Sequence, residues 1–272
     1  MRNTKVCTIR ELPQELWIPA AKKAIEINPA NASAANLLRL ASPDVVIAPE
    51  RLAVVTARRW NKNGVELTVG FLDNPPDDLK ARILSHMNAW GLRANVRFSL
   101  AATATTAQVR INRTAGDGYW SYLGTDILSI AAGDPTMNLE GFTMDTLDSE
   151  FYRVIRHETG HTLGFPHEHQ REEIVNRIDR EKAITYFNKE YGWSRDKAIA
   201  AVLTPLDNSA LNATAKADVN SIMCYWLPAE IMEDNIAVVG GADIDEQDAE
   251  FAASVYPPVE RGNLLHRSGV TS

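Results

Sequence analysis

A chain of 272 residues with 45% apolar side chains can bury a sizeable core, in one large domain or two small ones. Its formal charge of −7, with no long basic run, argues against a nucleic-acid partner. No apolar stretch reaches the ~18 residues that would suggest a membrane span.

Met1–Lys5 is charged and is followed by no apolar segment, so it does not read as a secretory signal. The expectation is a cytoplasmic chain, or one exported without a leader or separated from it. Cys7 and Cys224 allow at most one disulfide. Residues 1–50 read as a helical N-terminal extension. Leu12, Leu16, Ile18, Ala21, Ala24 and Ile25 follow an approximately helical spacing, interrupted by Pro13 and Pro19, and a second short helix is expected near Ser33–Leu40.

Arg51–Trp60 reads as a strand, Asn61–Gly64 as a turn and Val65–Leu72 as a second strand. A helix is expected from Asp73–Asp77 to about Trp90, with Leu79, Ile83, Met87 and Trp90 buried and Gly91 as its stop. His86 within it is a packing or surface histidine. Asn95–Leu100 and Ala107–Asn112 read as strands around a small-residue loop, Ala101–Thr106. Gly118–Gly124 is either an aromatic core strand or a sheet edge.

Asp145–Leu163 predicts a helix capped by Thr146, Asp148 or Ser149 and anchored by Phe151, Val154 and Ile155. Four of the six histidines lie at 157, 161, 167 and 169. On a helix, residues four apart lie about 40° apart in azimuth and about 6 Å apart along the axis. His157 and His161 therefore share a face and can both reach one zinc ion. Glu158 is turned away from them, badly placed to ligate and well placed to take a proton from a zinc-activated water. Gly164 can end the helix in the left-handed conformation and Pro166 prevents its continuation, so the chain can return His167 as a third ligand. Three protein ligands and an open position suit one catalytic Zn(2+) rather than a closed structural site. His169 reads as a neighbouring or surface group rather than a fourth ligand, and Gly160 suggests a close backbone approach near the metal.

Arg171–Asn220 is mostly helical and polar, with Ile178, Ala183, Ile184 and Phe187 on one apolar face. Ile244–Pro257 holds a last helix with Phe251, Ala252 and Val255 inward, and residues 259–272 form a polar tail.

His157–His167 carries the metzincin metallopeptidase signature, and its continuation through Phe165, Pro166, His167 and Glu168 resembles the astacin-like branch. Ser221–Tyr225 (Ser-Ile-Met-Cys-Tyr) is similar to the astacin Met-turn, with Cys224 in place of its histidine. Trp60 before Asn-Gly and Gly118–Gly124 also resemble astacin stretches, and Tyr119 stands where the family has a cysteine. The resemblance covers roughly residues 55–257. It implies an α+β, metzincin-type zincin fold: a twisted, mostly parallel sheet with an active-site helix and a long backing helix, over an irregular and helical lower subdomain. It implies a catalytic domain at 51–258, Met223 beneath the zinc histidines, and Tyr225 as a fifth metal ligand that swings away to stabilise the transition state. In astacins the carboxylate at Glu168 interacts with the matured N-terminus. Residues 1–50 would then be either a pro-segment or an N-terminal packing element, and Cys7 either a thiolate ligand that blocks the metal or an ordinary buried or free cysteine, its surroundings not matching the matrixin switch motif.

The implied activity is zinc-dependent endopeptidase hydrolysis of extended protein or peptide substrates by a monomer. A latent zinc-binding protein held closed by its N-terminal segment, and a zinc hydrolase of a non-protein amide, stay open as alternatives.

Overall fold

The computed structural model describes residues 7–32, 57–206 and 216–258. The predicted helix near Ser33–Leu40, the first part of the predicted strand Arg51–Trp60 and the tail at 259–272 lie outside the described residues.

The chain opens with a strand, β1 (Cys7–Arg10), followed by helix α1 (Trp17–Ile27). Pro19 falls in the first turn of α1, where its missing N–H has no intrahelical partner to lose. Strand β2 (Val65–Phe71), helix α2 (Asp77–Met87), β3 (Val96–Leu100), β4 (Val109–Asn112), β5 (Tyr119–Tyr122) and β6 (Met137–Leu139) build the upper unit. The six described strands form one sheet in the order β1-β5-β6-β4-β2-β3. All neighbouring pairs are parallel except β5 and β6.

The long helix of the upper unit runs from Asp148 to Thr162 in three segments, Asp148–Glu150, a π-helical turn Phe151–Ile155 and Arg156–Thr162, here called α3 together. It starts later than the sequence suggests, after Leu147, and none of Thr146, Asp148 or Ser149 caps it. Thr146 instead accepts from the Thr143 amide at 3.0 Å, closing the preceding turn. The lower unit holds α4 (Glu172–Val175), α5 (Arg180–Tyr191) and α6 (Arg195–Ala198), and the last helix among the described residues is α7 (Glu246–Val255). No helix among the described residues is long and apolar enough to cross a membrane.

Two apolar cores result. The upper one packs Val69, Ile83, Val109, Met137, Phe151 and Ile155 between sheet and helices. The lower one gathers Ile174, Phe187, Val202, Leu227 and Met232, and it includes Cys7, Cys224 and Tyr225. Cys7 thus belongs to the sheet by its backbone and to the lower core by its side chain.

Three expectations need correction. The N-terminal extension is not purely helical, because it begins with β1. Residues 57–60 are not a strand: their backbone is taken up by other partners. The Asn31 side chain bonds both the N–H and the carbonyl of Arg59, Arg58 O accepts from Thr125 N at 2.9 Å, and Trp60 N donates to the Tyr256 hydroxyl at 3.1 Å. Gly91 does not end α2 in a left-handed turn. It lies in a 3-10 turn, Asn88–Leu92, where a Cβ would stand 2.3 Å from the Val96 carbonyl, so close backbone approach is its reason.

Candidate active site

The end of α3 is a Schellman termination. Gly164 takes φ +90°, its N–H donates to His161 O at 2.8 Å, and Phe165 N donates to Gly160 O at 3.0 Å. A side chain at 164 would be strained by φ and would press on the Arg58 carbonyl. The turn does more than stop the helix. It aims Phe165 O at His161 Nδ1, 2.8 Å away, while His157 Nδ1 lies 2.6 Å from Ile222 O. A carbonyl can only accept, so both Nδ1 atoms carry the proton and both Nε2 atoms present lone pairs.

Those lone pairs converge. His167, returned by Gly164 and Pro166, places its Nε2 at 3.0 Å from His161 Nε2 and 3.3 Å from His157 Nε2. Ligands about 2.0–2.1 Å from a tetrahedral zinc stand about 3.3 Å apart, so the three nitrogens fit that ion. Burial pushes the His157 pKa down to about 4 and lowers those of His161 and His167, which keeps all three neutral, as ligation requires. Cys7 Sγ completes the group: one ligand atom from each of Cys7, His157, His161 and His167 lies within 4.8 Å of every other. Burial, then the Glu158 charge, pushes the Cys7 thiol pKa up.

Glu158 is fully buried, and the Cys7 thiol reaches its carboxylate. Burial raises its pKa to about 8, against the opposing pull of the Cys7 thiol and Arg153. A buried carboxyl beside a group of candidate metal ligands can exchange a proton with a molecule that enters the site.

The Met-turn closes the site from below. Met223 lies against the helix backbone at Gly160, where a Cβ would stand 2.4 Å from Met223 Sδ and 3.2 Å from the Trp90 ring, which explains the glycine within α3. Glu168 N donates to Met223 O at 2.9 Å, joining the third-ligand loop to the Met-turn. The Glu168 carboxylate, half-buried, accepts from Arg171 at 3.1 Å and from the Asp218 amide at 3.0 Å.

Tyr225 is buried, its ring 4.4 Å from that of His167, and its hydroxyl donates to the Cys7 carbonyl. His169 stacks on the Tyr225 ring at 3.9 Å and bonds the Ala201 carbonyl through Nε2 at 3.0 Å. It is a fully buried support for that ring and stands outside the metal group. His86 packs against Phe151 and Tyr152 and takes no part in the histidine cluster.

One supporting residue escaped the sequence reading. Asp248, in the first turn of α7, accepts from Ser221 Oγ at 2.6 Å and from Ile222 N at 2.9 Å. The residue that it holds, Ile222, is the one whose carbonyl orients His157. Asp248 and Asp245 also form a capping box, and in the sequence that helix-start role hides the other. Cys224 is a buried free thiol that faces the Tyr225 carbonyl, not the histidines.

β5, read as either core or edge, lies inside the described sheet, with β1 at the edge beyond it. Trp120 and Tyr122 are buried, while the strand's outer side is open to pairing and is taken by β1 in the register Cys7↔Tyr119 to Arg10↔Tyr122.

The chain is similar to known proteins over most of its length. The family model for the astacin peptidases matches residues 53–239, more than half of the chain. The solved structure of myroilysin is similar over 74% of this chain and 96% of its own, at 30% identity and a TM-score of 0.69. A second myroilysin structure aligns with a TM-score of 0.56 over 86% of that chain. Zinc metalloproteinase nas-27 of Caenorhabditis elegans is 24% identical over 129 residues, 47% of this chain and 28% of that relative's own length. The chain therefore belongs to the astacin family of zinc metallopeptidases.

Proposed function

We propose that this chain is a zinc endopeptidase that cuts extended protein or peptide substrates and that it is held latent by its N-terminal strand. The observation that carries the reading is the convergence of three imidazole Nε2 atoms beside a fully buried carboxylate. His157, His161 and His167 would hold the ion. Zinc, when bound, supplies Lewis acidity that polarises the scissile carbonyl and activates water.

The protein does the rest. The open side of β5 offers backbone groups that fix an extended substrate. Glu158 takes a proton from the attacking water and delivers it to the leaving amine nitrogen. The Tyr225 hydroxyl donates to the developing oxyanion once it leaves the Cys7 carbonyl. Met223 and the Asp248-braced Ile222 keep the histidines oriented. In the latent form β1 fills the substrate edge, Cys7 Sγ takes the position of a fourth ligand, and the Cys7 carbonyl occupies Tyr225.

The test compares zinc-loaded full chain, its Cys7→Ala variant and chain activated by limited proteolysis on a mixed peptide library, each with and without chelator. Cleavage by the last two, abolished by chelator, is expected. Glu158→Ala is expected to keep its zinc and lose at least about a thousandfold in kcat/KM. Normal cleavage by that variant would remove Glu158 from the mechanism.

A further inference from the structure

Glu11 marks a change in how the chain is held. Before it, β1 is an edge strand with one neighbour, and of Cys7–Arg10 only Cys7 is buried. Arg10, the last residue of β1, keeps 45% of its side chain exposed, and Glu11 is exposed as well. After it, the ties tighten. Leu12 is buried, and its carbonyl accepts from the Trp17 indole at 2.7 Å, which fastens it to the first turn of α1.

α1 in turn is fixed to the body of the molecule. Ala20, Ala21 and Ala24 are buried, and so is Asn31 just beyond the helix. Asn31 Nδ2 donates to Ala24 O and to Arg59 O, both at 2.8 Å, and Asn31 Oδ1 accepts from Arg59 N at 3.0 Å. Asn28 donates to Trp60 O at 2.7 Å. The Trp60 indole donates to Thr162 O at 2.8 Å, one residue after His161 in α3. Through Arg59 and Trp60, α1 therefore braces the end of the helix that carries two of the three histidines.

We infer that the Arg10–Glu11 bond is a processing site, cut by a protease with an acidic pocket for basic side chains, and that α1 stays behind as part of the peptidase. The inference rests on the latency reading above and names the cut that ends it. Cleavage needs an exposed segment that can leave its neighbours locally, and an edge strand with three of four residues unburied opens more readily than a helix packed into a core. Arg10 presents the basic side chain that such a pocket takes. Water adds across the amide, so that the Arg10 carbonyl carbon becomes a carboxylate and the Glu11 nitrogen an amine. Before the cut, the short tether to α1 holds β1 against β5 at an effective concentration of about millimolar. After it, β1 is a separate short strand that dilution removes, taking the Cys7 thiol and carbonyl away from the histidines and Tyr225. A cut beyond Asn31 would not do this. It would leave β1 tethered to an α1 that the Asn28 and Asn31 bonds still hold in place.

The experiment treats zinc-loaded full chain with trypsin, which cuts after Arg and Lys, or with an arginine-specific protease. The protease is then inhibited, cleavage of a mixed peptide library is followed, and the N-terminus of the product is sequenced. Activity is read relative to the same variant before treatment. Expected is a rise of at least about a hundredfold, the lower end of what a lost tether changes, in step with a product that starts at Glu11 and retains α1. Arg10→Gln should slow that rise at least about tenfold with either protease. Arg10→Lys should be activated by trypsin and resist the arginine-specific protease, a split that a merely loosened β1 would not produce. Activation of Arg10→Gln at the parent's rate overturns the inference. So does a fully active product that has lost residues 11–32, or a product starting at Glu11 that stays inactive while the Cys7→Ala chain cuts. In each of these cases the peptidase reading stands. Failure of every form, Cys7→Ala included, to cut any peptide overturns that reading, and this inference with it.

Discussion

β5 has two neighbours, and they are held in opposite ways. β6 pairs antiparallel to it, and all three residues of β6 are buried, with Met137, Leu139 and Asn138 at or near zero exposure. Asn138 spends its amide on Thr114 and Gly118, locking the turn before β5. β1 pairs parallel on the other side, and only Cys7 of its four residues is buried. Its outer end is held by Arg10, stacked over Trp120 at 4.2 Å and paired with Asp117 at 3.5 Å, both partners of the ion pair largely in solvent. One neighbour is part of the fold. On the function proposed above, the other acts as a covalently attached ligand of the edge. A sheet edge next to a metal can thus be closed without being committed.

The comparison can be broken at each strand in turn. Leu139→Ala in β6 is expected to cost about 2–5 kcal/mol in a denaturant titration, because the deleted atoms leave a cavity in a closed core. A cost below about 1 kcal/mol would mean that β6 is as dispensable as β1. Cys7→Ala should leave the stability of the zinc-free chain within about 2 kcal/mol of the parent and raise peptidase activity of the full chain at least about tenfold, since it removes the side chain that anchors β1 at the metal. Unchanged activity would detach Cys7 from latency. Arg10→Ala should have the smallest effect. An exposed cation–π contact and an exposed ion pair contribute up to about 1 kcal/mol each, so basal activity should rise by about two- to fivefold. No rise would show that the outer end of β1 does not hold it closed.

The site was legible where its logic is local. His157, Glu158 and His161 are set by helical spacing, and Gly164 and Pro166 announce the turn that returns His167. Gly160 was readable as a close approach, and Met223 proved to be what approaches. Residues 221–225 were readable only as a resemblance, because a turn braced from below by Asp248, 26 residues after Ile222, has no local pattern. The mostly parallel sheet and the late helix followed from resemblance and strand pattern together. β1 was not foreseen. Four residues, Cys-Thr-Ile-Arg, carry no alternation long enough to signal a strand, and their pairing partners lie more than a hundred positions away. The role of His169 was equally hidden, since stacking on Tyr225 depends on two loops meeting.

Gly160 and Met223 have a consequence for the history this sequence can have. With 2.4 Å between Met223 Sδ and the place a Cβ would take, a side chain at 160 must displace the end of the Met223 side chain. A side chain at 160 becomes tolerable only in a lineage that has already traded the methionine for something shorter, and that intermediate would have loosened the platform under its own metal ligands. A change at 160 is therefore expected to follow a change at 223, 63 residues away in the chain.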